Sequence, residues 1–238
     1  MARSGGAGVR ARILWQIVAA LLLLAMLAGA WGWWHLRHWT PEREIYPVQG
    51  VEIGAADGEV NWKSLKAVGV DFAYIDASAS VSAFARDPRF VGNFVAAKAA
   101  GLHVGAVHRY DPCQPAEMQS ANFVTTVPRD SALLPPAIDL DILADHCPAN
   151  VSDAKVESEL MTFINQIETH AGKPVILKVS KAFEARYRIA AKLDRNLWLV
   201  RDRFLPDYGG RPWSLWTANG SLSNEIAQEG LRWVVVQP

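Results

Sequence analysis

From Ile13 to Trp34 the chain carries one strongly polar residue, Gln16. About 22 apolar residues wound as a helix span roughly 33 Å, enough for a bilayer core. Arg3, Arg10 and Arg12 precede the run, while Arg37 and the mixed Glu42, Arg43 and Glu44 follow it. The positive-inside rule then puts the N-terminus in the cytoplasm and everything after about residue 38 outside. Residues 1–12 read as a cytoplasmic tail, 13–34 as a single-pass anchor in an inner membrane and 35–48 as a linker. Residues 49–238 read as one folded domain on the periplasmic, extracytoplasmic side. The rival reading is a cleaved signal peptide, because Ala28-Gly-Ala30 resembles a signal-peptidase site. The apolar run overshoots that site through Trp31 to Trp34, which favours an uncleaved anchor. Either way the domain is exported.

Export changes how the rest of the composition reads. Cys113 and Cys147 form an even pair in an oxidising compartment, where a disulfide is the default and two unpaired thiols the alternative. Closing a loop of about 34 residues contributes roughly 3–4 kcal/mol on the chain-entropy account. Half of the 238 residues are apolar, enough to bury a sizeable core. Lys and Arg total 24 against 24 Asp and Glu, with no basic stripe beyond the N-terminus, which argues against nucleic acid as a partner. Several of the ten tryptophans cluster beside the apolar segment, where a membrane-interface belt explains them.

Beyond the polar, proline-bearing stretch Thr40 to Pro47, apolar runs alternate with helical patterns. Strands are expected at 49–53, 70–75, 102–107, 134–141 and 174–179, with shorter ones at 197–200, 214–216 and 233–236. Between them fall helices at 61–68, after Asp87-Pro88 with Phe90, Val91, Phe94 and Val95 inward, and at 116–127. A further helix carries Val156, Leu160, Phe163, Ile164 and Ile167 at helical spacing and stops at Gly172. Strand and helix in alternation imply a parallel sheet. Eight candidate strands with weak late helices point to an irregular (β/α) barrel.

In such a barrel chemistry sits at the carboxyl ends of the strands. Those ends carry Glu52, Asp76, His108 with Tyr110, Asp139 with Asp141, and Trp216. In Leu134-Pro-Pro-Ala-Ile-Asp-Leu-Asp141 the two acids stand at i and i+2, which on a strand share a face. Converging carboxylates repel and desolvate each other, and so can build an acid/base pair. His108 reads as a sugar ligand, a residue orienting Asp139, or a structural histidine; Tyr110 and Trp216 read as stacking platforms or barrel aromatics. His146 beside Cys147 has no second spaced ligand pair, so no metal and no cofactor is expected.

Taken in order, these residues resemble the glycoside hydrolase family 25 lysozymes (Chalaropsis-type N-acetylmuramidases). Val51-Glu-Ile-Gly54 with Val60-Asn-Trp62 is similar to that family's first strand and following helix, and Phe72-Ala-Tyr-Ile-Asp-Ala77 to its second strand. Arg86-Asp-Pro-Arg-Phe90, Ala99-Ala-Gly-Leu102 and Gly105-Ala-Val-His108 with Tyr110 continue the series. Leu134 to Asp141 with Cys147 resembles the Asp-x-Glu strand of cysteine-bearing members. Leu197-Trp-Leu199 and Arg211-Pro-Trp213 to Trp216 resemble the late strands. The resemblance implies an irregular TIM-like barrel that cleaves the β-1,4 bond after N-acetylmuramic acid in peptidoglycan. It also implies an acidic groove, a carboxylic acid that protonates the leaving oxygen, and no metal.

Departures from the family pattern concentrate in the cleft. Asp141 stands where the family has the Glu of Asp-x-Glu, and Glu52 where it has Asp. Asp76-Ala-Ser-Ala-Ser80 replaces a stretch that carries a lysine and a glutamate. Arg109 replaces an aromatic, Trp216-Thr-Ala218 replaces Trp-Gln-Tyr, and Leu231-Arg-Trp-Val-Val-Val236 replaces Val-Asp-Leu-Asn. Shortening Glu to Asp withdraws the acid by roughly 1.5 Å, and misplacement of that size costs on the order of 100-fold. The sequence thus reads as a membrane-anchored lysozyme-like hydrolase of altered or reduced activity, with Asp139, Asp141 and Glu52 catalytic and Asp76, His108, Tyr110 and Trp216 binding substrate. The alternatives are a non-catalytic peptidoglycan-binding pseudoenzyme and an envelope scaffold protein.

Overall fold

The computed structural model describes residues 5–79 and 82–238, with side chains from residue 12 onward except those of 79–84. Arg3 and Ser80 lie outside the described residues. The chain divides into two compact units, residues 1–39 and 40–238.

In the first unit one helix, α1 (Gly5–Arg37), takes up the whole apolar run. Its stretch Arg12–Arg37 is long and apolar enough to cross a membrane, a property that signal sequences near an N-terminus share. His35 and Arg37 occupy the last turn, where cations meet the unpaired carbonyls of a helix end.

The second unit begins with β1 (Gln49–Ile53), α2 (Trp62–Ala67), β2 (Phe72–Asp76) and a small hairpin of β3 (Ser78–Ala79) and β4 (Ser82–Arg86). It continues with α3 (Phe90–Ala99), β5 (His103–Arg109), α4 (Ala116–Thr126), β6 (Ala137–Leu140), α5 (Asp153–Ala171) and β7 (Ile176–Val179). The last elements are α6 (Lys181–Tyr187), α7 (Ile189–Lys192), β8 (Asn196–Val200), β9 (Leu215–Leu222) and β10 (Leu231–Val236). Eight strands close into a barrel in the order β1-β10-β9-β8-β7-β6-β5-β2. The mixed α/β barrel expected from the alternation is present, but its sheet is not all parallel. β10 runs antiparallel to both β9 and β1, while the other neighbouring strands are parallel. Residues 223–230 are too few for the dozen or more that a parallel crossover needs, so β9 and β10 form a hairpin.

Local chemistry explains most element boundaries. Ser152 caps α5 by accepting from the Lys155 N–H, and Gly172 ends the helix at φ 66°, a left-handed conformation that glycine adopts without strain. The α5 stripe Val156, Leu160, Phe163, Ile164 and Ile167 is buried as its spacing requires. β6 is shorter than the apolar run before it, because Pro135 and Pro136 lack the N–H that a central strand must donate. Their carbonyls still accept, from the Tyr74 hydroxyl at 3.0 Å and the Ile176 N–H at 2.8 Å.

α3 departs from its expected packing. Phe90, Asn93 and Ala97 face the barrel, while Val91 and Val95 are 69% and 60% exposed. Asp87 does not cap the helix directly. Its side chain accepts the Arg89 N–H at 2.8 Å and the Ala55 N–H at 2.7 Å, tying the helix entrance to the loop after β1. Helix start and inward face therefore shift together.

Candidate active site

Period-2 alternation and strand register decide which side chains share the barrel interior. Phe72, Tyr74, Val107, Ala137, Ile176, Trp198, Leu215 and Val234 form one buried cluster there. Gly50 and Gly105 make room for it, since a Cβ at either would collide with the ring of Phe72 or Tyr74. One step nearer the carboxyl ends, the same faces carry Glu52 opposite Tyr74, Asp76 opposite Val107, Arg109 opposite Asp139, and Asp139 opposite Lys178. Because β10 runs the other way, the start of that strand brings Arg232 beside Glu52 at this same end.

These groups form a continuous charge network. Lys178 Nζ donates to Glu52 Oε1 at 2.6 Å and to Asp139 Oδ2 at 3.0 Å, and lies 5.4 Å from the centre of the Trp198 ring. Arg232 donates to Glu52 Oε1 at 3.2 Å, to Asp57 Oδ2 at 2.9 Å and to Asp76 Oδ2 at 3.0 Å. Asp57 is held in turn by the Gly54 N–H at 2.6 Å. Gly54 is needed where it stands, because a Cβ there would strike the Asp76 carboxylate. Asp141 lies just past the end of β6, half exposed, and pairs with Arg109 at 3.2 Å. Arg109 is anchored through its N–H to Ser78 Oγ at 2.9 Å.

Above the network opens a cavity of about 220 Å³ lined by Asp76, Ser78, Val107, Arg109, Asp139, Asp141 and Arg232. Burial raises the carboxyl group of Asp76, Arg232 offsets part of the rise, and the nearby Glu52 adds to it, leaving a pKa of about 6. Asp139 is likewise raised by burial, against the pull of Lys178. For Glu52 burial also acts upward, but Arg232 and Lys178 together outweigh it and its pKa lies below the usual carboxylate range. Burial pushes Lys178 down, yet Asp139 and Glu52 lift it above an ordinary lysine. The ammonium and Glu52 are therefore charged at neutral pH.

Of the residues expected at the strand ends, Glu52, Asp76, Asp139 and Asp141 come together at this cleft. His108, Tyr110 and Trp216 do not join them. His108 alternates with the inward Val107, so its ring packs on Phe163 and Phe123 at 4.9 and 6.1 Å centroid distance. Burial pulls that imidazole down to a pKa of about 4, so it is neutral. Tyr110 packs on Phe163 at 5.7 Å, and burial raises its hydroxyl. Trp216 sits against Tyr46 and Trp213 and donates its indole N–H to the Arg201 carbonyl at 2.8 Å.

Lys178, Arg232 and Asp57 were not anticipated. A lone lysine inside Val175-Ile-Leu-Lys-Val179 and a lone arginine inside Leu231-Arg-Trp-Val-Val-Val236 were the available signals, since a charge in a buried strand needs a partner. Cys113 and Cys147 form the expected disulfide, with Cα atoms 5.1 Å apart. It joins the loop after β5 to the short 3-10 turn Ala144–His146 after β6.

Comparison with known proteins places this geometry in a family. The profile of Glycosyl hydrolases family 25 matches residues 51–222. Lysozyme M1 of Streptomyces globisporus is 32% identical over 109 residues, which cover 42% of this chain and 36% of that protein. The uncharacterized protein YegX of Escherichia coli K12 is 21% identical over 178 residues, 72% of this chain and 62% of that one. The chain thus spans between about a third and three fifths of these curated relatives. A solved family 25 glycosyl hydrolase from Bacillus anthracis superposes with a TM-score of 0.74 at 26% identity, covering 85% of this chain and 93% of that chain. The bacterial lysozyme of Streptomyces coelicolor gives 0.67 at 22% identity over 80% of this chain and 92% of its own, a likeness of fold. With the family profile matched over most of the barrel, this chain belongs to glycoside hydrolase family 25.

Proposed function

We propose that the chain is a lysozyme-type glycoside hydrolase that cleaves the β-1,4 bond after N-acetylmuramic acid in peptidoglycan. In this reading α1 stays in the inner membrane and the barrel acts on the extracytoplasmic side. The carrying observation is the convergence of Asp76, Asp139 and Asp141 on one cleft at the carboxyl end of a family 25 barrel. Glycosidic cleavage needs a carboxylic acid for the leaving oxygen and a second carboxylate at the sugar. Asp139, paired with the Lys178 ammonium at 3.0 Å, suits the second role in its ionised form by stabilising positive charge that develops at the anomeric carbon. Glu52 supports it from beneath by holding the other side of the same ammonium.

The test is to incubate the full chain in detergent with insoluble peptidoglycan and examine the soluble fragments for new reducing ends at muramic acid. Asp139→Asn should lower their release on the order of 100-fold or more. A second reading is a wall-binding module without turnover. Two cations that pair with Glu52, Asp76 and Asp139 speak for it, because they leave the buried carboxylates engaged with protein rather than sugar. Retention on insoluble peptidoglycan with no new reducing ends would select that reading.

A further inference from the structure

We infer that Asp76, rather than Asp141, is the carboxylic acid that protonates the leaving oxygen in this chain. The inference rests on the hydrolase reading above and assigns a role within it. The charge count of the buried network comes first. Four carboxyl groups, on Glu52, Asp57, Asp76 and Asp139, share two cations, Lys178 and Arg232. Fully ionised, the network would keep two uncompensated negative charges at a site largely withdrawn from water, and such a site takes up a proton instead.

Hydrogen bonding says where that proton sits. Lys178 and Arg232 both serve Glu52 Oε1, while Glu52 Oε2 is buried with no donor among the described residues. Glu52, which faces both cations, is the group held low. Asp57 is satisfied by the Gly54 N–H and Arg232, and Asp139 has Lys178. Asp76 shares its single guanidinium with two other carboxylates. Its pKa of about 6 agrees with that placement, with Arg232, Glu52 and Lys178 as the charged groups that set it.

Asp76 also has access to substrate. It lines the cavity together with Asp139, and about 19% of each side chain reaches solvent. Asp141 is 53% exposed and pairs with Arg109 rather than with the two buried cations. In the reaction the bond between the anomeric carbon and the bridging oxygen breaks, and its electron pair stays on that oxygen, which takes the Asp76 proton. The oxygen of a water molecule bonds to the anomeric carbon, and the proton it releases passes to Asp139 and then to solvent. Asp76 regains a proton from solvent, which closes the cycle.

Leaving-group chemistry separates an acid from a merely structural residue, because a nitrophenolate departs without being protonated. The full chain and its Asp76→Asn and Asp141→Asn variants would be assayed on peptidoglycan and on a 4-nitrophenyl β-glycoside of an N-acetylmuramic acid-terminated disaccharide. Asp76→Asn should lose on the order of 100-fold or more on peptidoglycan yet stay within about tenfold of wild type on the aryl glycoside. Its peptidoglycan rate should also lose the fall that wild type shows as pH rises through about 6. Asp141→Asn should lose less than about tenfold on either substrate. If Asp141→Asn shows the acid signature and Asp76→Asn does not, the assignment is overturned and the hydrolase reading stands. Equal loss on both substrates in Asp76→Asn also overturns it, by making Asp76 structural. Absence of wild-type turnover on either substrate would remove both the assignment and the hydrolase reading.

Discussion

At the scale of single residues, the molecule depends on Lys178. Its ammonium is 8% exposed and lies between Glu52, 1% exposed, and Asp139. Lys178→Met would keep the stem's volume against Trp198 but leave Asp139 without its cation and Glu52 with Arg232 alone. Breaking a buried pair from one side costs about 3–5 kcal/mol, read as a lower denaturation midpoint at neutral pH. Restored stability in Lys178→Met combined with Asp139→Asn would tie the loss to the stranded charge. Asp76 should leave its mark on the pH dependence of stability. Its folded pKa lies above the unfolded value, so its contribution is complete below about 4 and is lost as pH rises through about 6. Glu52 works the opposite way: its contribution is present above the ordinary carboxylate range and is lost as pH falls through its lowered folded value. Melting temperatures of Asp76→Asn should therefore gain on wild type between pH 4 and 7, and an unchanged difference would contradict the raised pKa.

At the scale of elements, parallel pairing of β5 with β6 explains why cysteines 34 positions apart meet. Each follows one of the two neighbouring strands, so both fall on the rim that carries the cleft. The link also braces the turn at Ala144, whose N–H donates to the buried Tyr187 hydroxyl at 2.9 Å. Thiol labelling of denatured, unreduced protein should find no free cysteine. Replacing both with serine should cost roughly 3 kcal/mol on the loop-entropy account, measured by denaturant titration. The hairpin of β9 and β10 is the other decisive element. Turning β10 round puts its first residues, and Arg232, at the end of the barrel where the other strands finish. A parallel last strand would have put that guanidinium at the opposite mouth.

At the scale of the whole molecule, α1 is a candidate membrane span or signal sequence, and the two leave different mature chains. If the helix is retained as an anchor, the mature chain keeps its N-terminus and fractionates with membranes until detergent is added. Mass spectrometry of the mature protein distinguishes this outcome from cleavage, which would leave Trp31 as the first residue. Detergent-free solubility of an intact chain would also count against the anchor.

Much of this arrangement was legible in one dimension because it rests on local chemistry. A long apolar run broken only by Gln16, a Ser152 cap with a Gly172 stop, and alternating strands and helices identify the long helix, α5 and the barrel without reference to distant residues. Asp139 and Asp141 do line one cavity, although Asp141 lies just past the strand whose shared face the spacing implied. What remained illegible depends on partners far apart in sequence. Whether His108 or Val107 faces the interior is decided by register against β2 and β6, not by the residue itself. Val91 and Val95 gave way to Asn93 and Ala97 because the surface α3 packs on selects its buried side. The state of the cleft is the clearest case. Lys178 and Arg232 are separated by 126 and 180 positions from Glu52 and touch it only once the barrel is closed. Charge on a carboxylate follows from its nearest neighbours and its distance from water, and both quantities exist only in the folded chain.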